Sequence, residues 1–161
     1  MQPRIDLRKT APGAIQAMLG LQNYVNASGL PSTLLELVKI RASQINACAY
    51  CLDMHSQDAR ANGETEQRLY ALNAWRETPF FNDRERAALD WTESLTLLHQ
   101  GHVPDEAFAE VRQHFTEEEI VNLSLAIVTI NSWNRLMVAF RAVPGHYHPA
   151  PRSTTAAAAQ D

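Results

Sequence analysis

Residues 36 to 55 read Glu36-Leu-Val-Lys-Ile-Arg-Ala-Ser-Gln-Ile-Asn-Ala-Cys48-Ala-Tyr-Cys51-Leu-Asp-Met-His55 and contain both cysteines of the chain. Successive residues of an α-helix are about 100° apart, so Cys48, Cys51 and His55 share one stripe if this segment is helical. Cys51 and His55 are four residues apart, the spacing at which helical side chains touch. A thiol pair beside a titratable imidazole predicts a redox site carried on a helix.

The composition predicts an ordinary globular domain, since 45% of the 161 residues are hydrophobic and 20% are charged. The net charge of −4 and the lack of a basic run give no reason to expect a nucleic-acid partner. The N-terminus has no apolar signal-peptide core, and no stretch approaches about 18 uninterrupted apolar residues. We therefore expect no membrane span and a cytoplasmic location. In a reducing compartment, a C-x-x-C pair favours a catalytic or metal-binding role over a permanent disulfide.

Helical periodicity runs through the chain, and no segment shows the alternation of a β-strand. The pattern predicts an all-α bundle of about seven helices in a single domain, residues 1–149. We expect an extended lead-in over residues 1–13 and a disordered, Ala-rich tail over residues 150–161. The predicted helices cover residues 14–26, 31–44, 46–62, 65–74 and 84–99, a segment that begins near Pro104, and residues 116–141.

Capping residues predict where several of these helices begin and end. Asn46 is a suitable N-cap for the helix that carries the cysteines, and Gly63 is a suitable left-handed stop. Thr116 and Glu119 have the spacing of a capping box. The helix that follows Thr116 is apolar around most of its circumference, so it must be covered on more than one side. It is either the central core helix or half of a subunit interface.

The cysteine pair has several possible roles. In the simplest interpretation, Cys48 and Cys51 are small, partly buried hydrophobic residues on a helix and have no chemical role. Structural zinc would need a fourth ligand beside Cys48, Cys51 and His55, supplied by Glu36 or a distant histidine. Haem attachment requires C-x-x-C-H and fails because residue 52 is leucine. The βαβ pattern of a thioredoxin fold is absent, which leaves thiol redox chemistry on a helical scaffold as the favoured interpretation.

Redox chemistry explains why these residue types would be grouped. The thiolate is the nucleophile, and a neighbouring imidazole can take the thiol proton while a carboxylate orients the ring. The second cysteine can trap a sulfenic acid as a disulfide. Glu36 is our candidate for the carboxylate, because it lies on the preceding helix, which can pack antiparallel beside the third. Without that packing, Glu36 would be an ordinary solvated glutamate.

The pattern Glu36-x6-Ser43-x4-Cys48-x-x-Cys51-x-x-x-His55 resembles the signature of the AhpD-like alkylhydroperoxidases, within the carboxymuconolactone decarboxylase superfamily. The strong match covers about residues 33–62, and Asn131-Ser-Trp-Asn-Arg135 also resembles the short, single-domain members. Tyr50 stands where the best-known AhpD proteins have a histidine. The lactone decarboxylases of the superfamily typically lack the cysteine pair, which argues against lactone chemistry here.

The resemblance implies an all-helical subunit in trimers or hexamers, without haem, flavin or metal cofactor. It implies a thiol-dependent peroxidase of antioxidant defence that takes a hydroperoxide substrate and a dithiol reductant, for which lipoyl-type donors are an expectation. Carried over by motif position, Cys51 would attack the peroxide and Cys48 would resolve the intermediate. Glu36 and His55 would form the proton relay. The alternatives are a general C-x-x-C disulfide oxidoreductase and a non-catalytic helical oligomeric binding protein.

Other polar residues receive weaker predictions. Asp53 and Asp58 are interpreted as solvated helix positions, and Tyr147, between two histidines, as part of the surface beyond the last helix. Residues 133–135 either line a pocket or form a subunit contact.

Overall fold

The computed structural model describes residues 2–149, which form eight α-helices and two short 3-10 helices. No strand occurs among these residues, so the all-α prediction is confirmed. The α-helices are α1 (Leu7–Thr10), α2 (Pro12–Asn26), α3 (Ser32–Ile45), α4 (Ala49–Ala61), α5 (Glu66–Ala71), α6 (Asp83–Thr96), α7 (Asp105–His114) and α8 (Glu117–Phe140). The 3-10 helices are Leu72–Glu77 and Leu98–Gln100. The predicted tail, residues 150–161, lies outside the described residues.

The expected extended lead-in is wrong in part, because residues 7–10 form the additional helix α1. The Asp6 side chain accepts hydrogen bonds from the backbone N–H groups of Arg8 and Lys9. This N-cap satisfies two of the donors that a short helix leaves free. The segment is polar and has no hydrophobic periodicity, so the sequence pattern does not predict this helix.

Helix α3 lies at the centre of the fold and packs against α4, α6 and α8. Every residue from Leu34 to Ile40 is buried, which is more than the single stripe that an amphipathic helix buries. Leu34 and Val38 belong to one hydrophobic cluster, Leu37 and Ile40 to a second, and Ala42 packs with the cysteines. Because neighbours cover α3 on several sides, its polar residues Glu36, Lys39 and Ser43 are buried as well.

Several large apolar side chains of the described residues are exposed. Tyr70 is 77% exposed, Leu98 52% and Phe108 43%. Leu98 follows the end of α6, where the chain tightens into a 3-10 helix and its face turns away from the core. Phe108 remains in contact with the Trp91 ring, at 5.9 Å between centroids.

The connection between α3 and α4 differs from the prediction. Asn46 ends α3, Ala47 adopts a left-handed conformation with φ of 51°, and Cys48 occupies the N-cap position of α4. The prediction of Asn46 as the N-cap is therefore wrong, because its side chain binds α8 instead of the start of α4. Gly63 does follow α4 with φ of 96°, as predicted.

Helix α8 begins at the predicted capping box, in which Thr116 and Glu119 exchange side-chain and backbone hydrogen bonds. It is also long and apolar enough to cross a membrane, with a mean hydropathy of 1.2 over an 18-residue window. The core helix of a globular domain has the same length and composition. Helix α8 has the features of such a core helix. It packs against α2, α3 and α6, and its Asn122, Asn131 and Asn134 are buried.

After α8 the chain turns back and lies against α4. The backbone N–H of Gly145 donates to Asp53 Oδ2 at 2.8 Å, and the Tyr147 hydroxyl donates to Asp58 Oδ1 at 2.6 Å. The interpretation of Asp53 and Asp58 as solvated positions is therefore wrong. Both carboxylates hold the C-terminal segment, residues 142–149, beside the helix that carries the cysteines.

Candidate functional site

The two cysteines lie in a closed apolar environment at the start of α4. Each is a free thiol and only 1% exposed. They pack with Ala42 and Ile130, and the half-buried side chains around this cluster are Tyr50, Trp133 and Met137. A small reactant must therefore move at least one of these side chains to reach sulfur.

The two thiols have very different proton affinities. Hydrogen bonding from the Cys51 thiol lowers the pKa of Cys48 to about 7, against the opposing effect of burial. The Asn134 side chain and the first backbone amides of α4 lower the pKa of Cys48 further. The same interaction with Cys48, together with burial, raises the pKa of Cys51 above its ordinary range. In the neutral pH range the pair therefore loses its first proton from Cys48, while Cys51 keeps its own proton.

A buried ion cluster lies between α3 and α4. His55 Nδ1 is 2.9 Å from Glu36 Oε2, and Lys39 Nζ donates to Glu36 Oε1 at 2.8 Å. All three side chains are 8% exposed. Burial raises the pKa of Glu36, but the hydrogen bond and charge of His55 and the charge of Lys39 outweigh it, so the net pKa is lowered. Glu36 is thus an ionised carboxylate that fixes the His55 ring.

A chain of amides supports the cysteines from the side of α8. Asn46 Nδ2 donates to the side-chain oxygens of Asn131 and Asn134, each at 2.9 Å. Asn134 is fully buried and donates to Ser43 Oγ at 3.0 Å. Because α3, α8 and the loop before α4 share this network, it sets the position of Asn134 beside the sulfur atoms.

A second carboxylate lies close to the buried Glu36–His55 pair. Oxygen atoms of Asp58 and Glu36 and a ring nitrogen of His55 are all within 4.8 Å of one another. Among the described residues this is the group with the spacing of a cation site, and neither cysteine belongs to it. The Lys39 ammonium already balances Glu36 in this group, so its charge disfavours a further cation.

The structure brings Glu36 and His55 into contact, and it brings Cys48 and Cys51 into one cluster. The packing of α3 against α4 that the sequence analysis required for Glu36 is present. No hydrogen bond of the described residues joins the His55 ring to either thiol. The catalytic roles of these four residues remain predictions.

Sequence reasoning missed several residues that shape the site. Lys39 lies three residues after Glu36, a spacing that is also common between charged residues on solvated helices. The sequence therefore does not indicate that Lys39 is buried. The sequence predicts Asn46 as a cap and places Asn134 only in an unspecified pocket or subunit contact. Trp133 does pack beside the cysteines, whereas Arg135 lines a separate cavity of about 380 Å³ together with residues of α6.

Replacing Glu36 by glutamine should lower the free energy of unfolding by about 3 to 5 kcal/mol at pH 7, because it leaves the Lys39 ammonium buried without a counter-charge. Glu110 is a matched control, since it bonds His114 at 3.2 Å on the surface. Its replacement by glutamine should change stability by less than about 0.5 kcal/mol. Urea denaturation of the three proteins measures both values.

The effect of Glu36→Gln should also depend on pH. The folded protein holds the pKa of Glu36 below its ordinary value of 4.5. Its contribution to stability is therefore complete above that pH and is lost as the pH falls through the folded pKa. The difference between the wild type and Glu36→Gln should narrow as the pH falls below about 4.5. A constant difference down to pH 3 would contradict an ionised Glu36.

Known proteins share this arrangement of helices and its sequence. The carboxymuconolactone decarboxylase family matches residues 12–94. An uncharacterised protein of Bacillus subtilis strain 168, YdfG, is 46% identical over 139 residues, which cover 86% of this chain and 95% of YdfG.

Two solved structures also resemble the chain. A protein of unknown function from Agrobacterium tumefaciens, provisionally described as the antioxidant defence protein AhpD, is 42% identical with a TM-score of 0.88; the match covers 91% of this chain and 100% of that one. A peroxidase-related protein with an alkylhydroperoxidase AhpD core, from Ralstonia eutropha JMP134, is 19% identical with a TM-score of 0.76 over 86% of this chain and 74% of that one, and shows the fold alone. The chain therefore belongs to the carboxymuconolactone decarboxylase family and has an AhpD-like fold.

Proposed function

We propose that the protein is a thiol-dependent peroxidase that reduces hydroperoxides through Cys48 and Cys51, in antioxidant defence. The observation that carries this proposal is the buried thiol pair sharing one proton at the start of α4, one helical turn from a His55 ring fixed by Glu36. A fold hosts many chemistries, so the argument depends on the site and not on the architecture.

In the proposed first step, Cys51 sulfur attacks one peroxide oxygen and the O–O bond breaks. His55, at the i+4 position on α4, takes the Cys51 proton and transfers it to the departing alkoxide, which leaves as the alcohol. The products are a sulfenic acid on Cys51 and an alcohol. Proton transfer during attack avoids a second full thiolate beside Cys48, which a buried site would disfavour.

In the second step, the Cys48 thiolate attacks the sulfenic sulfur. A disulfide forms, and the hydroxide that leaves takes one proton to become water. The lowered pKa of Cys48 suits this role, because a large fraction of Cys48 is thiolate at neutral pH when the sulfenic acid forms. A dithiol, for which we propose a lipoyl-type donor, then reduces the disulfide with two electrons and is itself oxidised to a disulfide. One of its two protons restores the Cys51 thiol, and the other is released to solvent as Cys48 returns to the thiolate.

Catalytic consumption of tert-butyl hydroperoxide with dihydrolipoamide as donor tests the activity. We expect multiple turnovers with the wild type and none with a variant in which both cysteines are serine. Both side chains lie in an apolar cluster, so circular dichroism should confirm that the double variant is folded. Equal peroxide loss with the two proteins would contradict the proposal.

The single cysteine variants separate the two thiols. Cys51→Ser should remove the first reaction with peroxide. Cys48→Ser should keep a single reaction and accumulate a sulfenic acid on Cys51, which a dimedone-type probe traps and mass spectrometry locates. If Cys51→Ser still consumes one equivalent while Cys48→Ser is silent, the resting thiolate of Cys48 is itself the nucleophile and the roles are reversed.

We also propose that the chain forms a homo-oligomer, a trimer or hexamer, through the outer face of α8. Val121 and Val128 lie two helical turns apart on this face and are 65% and 51% exposed, and Leu98 lines the same cavity as Val128. Apolar side chains exposed on one face favour association with a second apolar surface.

Light scattering should therefore give a mass several times the 18.0 kDa of one chain. Val128→Glu should reduce that mass, because it places a charge in the contact. Tyr70→Glu, at an exposed position on α5, is the control and should leave the mass unchanged. A wild-type mass of one chain at micromolar concentration would contradict the oligomer.

A further inference from the structure

We propose that Asp58 exchanges protons between solvent and the buried His55–Glu36 pair, and that Tyr147 is a positioning residue that holds the Asp58 carboxylate in place. The role of this exchange in turnover rests on the proposed function. The arrangement of the Asp58, His55 and Glu36 atoms does not depend on it. The peroxidase cycle requires one proton from outside the thiol pair when the disulfide forms. His55 and Glu36 are too deeply buried to take that proton directly from bulk water, since both side chains are 8% exposed.

Asp58 has the position that such an exchange needs. It lies three residues after His55 on α4, and its carboxylate is half-buried instead of closed off. A carboxylate oxygen is within 4.8 Å of both the His55 ring nitrogen and the Glu36 oxygen. One water molecule spans a gap of this size with two hydrogen bonds, so a proton can pass from Asp58 to the ring.

Tyr147 fixes that carboxylate from the solvent side. Its hydroxyl donates to Asp58 Oδ1 at 2.6 Å, and the ring is half-buried in the C-terminal segment. Burial and this hydrogen bond raise the pKa of Tyr147, so the hydroxyl stays protonated and remains a donor at neutral pH. With one oxygen held by Tyr147, the other oxygen of Asp58 is free to carry the exchanging proton.

The charged and titratable groups around His55 come from three parts of the chain. Glu36 lies beside the ring from α3 and binds Lys39, and Asp58 approaches the ring from α4. Tyr147, in the C-terminal segment, binds Asp58, and the charges of Glu36 and Tyr50 act on its hydroxyl. Lys39 is bound to Glu36 and is buried, so it cannot pass protons to water. Asp58 is the half-buried acid of this set that also reaches the His55 and Glu36 atoms.

Exchange of the His55 ring N–H with water tests the proposal without any peroxide. We label histidine with ¹⁵N and measure the exchange rate of the proton between His55 and Glu36 by NMR. Asp58→Asn should slow this exchange by about tenfold, because an amide does not accept and release protons as a carboxylate does. Tyr147→Phe should slow it less, since the carboxylate remains but is no longer held.

Asp53→Asn is the matched control. Asp53 also holds the C-terminal segment, through the backbone N–H of Gly145, but it is not within the His55–Glu36 group. It should leave the exchange rate of the His55 proton unchanged. Equal slowing by Asp53→Asn and Asp58→Asn would show that docking of the segment, and not proton exchange, is responsible, and would overturn the proposal.

Turnover with tert-butyl hydroperoxide supplies a second readout. In dilute buffer Asp58→Asn should lower the rate by about tenfold, and added imidazole should restore it, because a small base can replace the missing carrier. A defect that imidazole does not reduce would contradict the exchange role. If the wild type shows no peroxidase activity, the proposed function fails, while the NMR measurement still tests the route to His55.

Discussion

The Glu36 carboxylate, buried between α3 and α4, is the interaction on which the rest of the site depends. It binds the Lys39 ammonium on its own helix and the His55 ring on the next, so it joins the two helices that carry the thiol site. A buried carboxylate is stable only when its charge is balanced and its oxygens are hydrogen-bonded. Lys39 and His55 meet both conditions, so Glu36 can lie within the most enclosed stretch of α3.

The thiols illustrate how backbone geometry changes chemistry. The left-handed turn at Ala47 ends α3 and places Cys48 at the N-cap of α4 instead of inside the helix. Cys48 therefore lies beside free backbone amides and the Cys51 thiol, which together stabilise its thiolate. Cys51 lies within the helix, keeps the proton, and is one turn from His55. A displacement of the N-cap by two residues, from the predicted Asn46 to Cys48, thus gives the two sulfur atoms different proton affinities.

The C-terminal segment adds a second set of contacts to the same helix. Asp53 and Asp58 project from α4 to Gly145 and Tyr147, which are about 90 residues further along the chain. The site is consequently built from α3, α4, α8 and residues 142–149, and no contiguous part of the sequence contains it. Deletion of residues 142–149 would remove the contacts to Asp53 and Asp58, although the cysteine motif itself would remain.

Local patterns in the sequence were sufficient for most of the helices, the capping box at Thr116 and the stop at Gly63. They also placed Cys48 beside Cys51 and Glu36 near His55, because each pairing depends on helical spacing or on a recognisable motif. The burial of Lys39, the role of Asn134 and the docking of Tyr147 on Asp58 depend on residues distant in the chain that meet only when helices pack. A polar side chain has the same local pattern whether it faces water or a buried partner. Only the tertiary structure decides between these two environments.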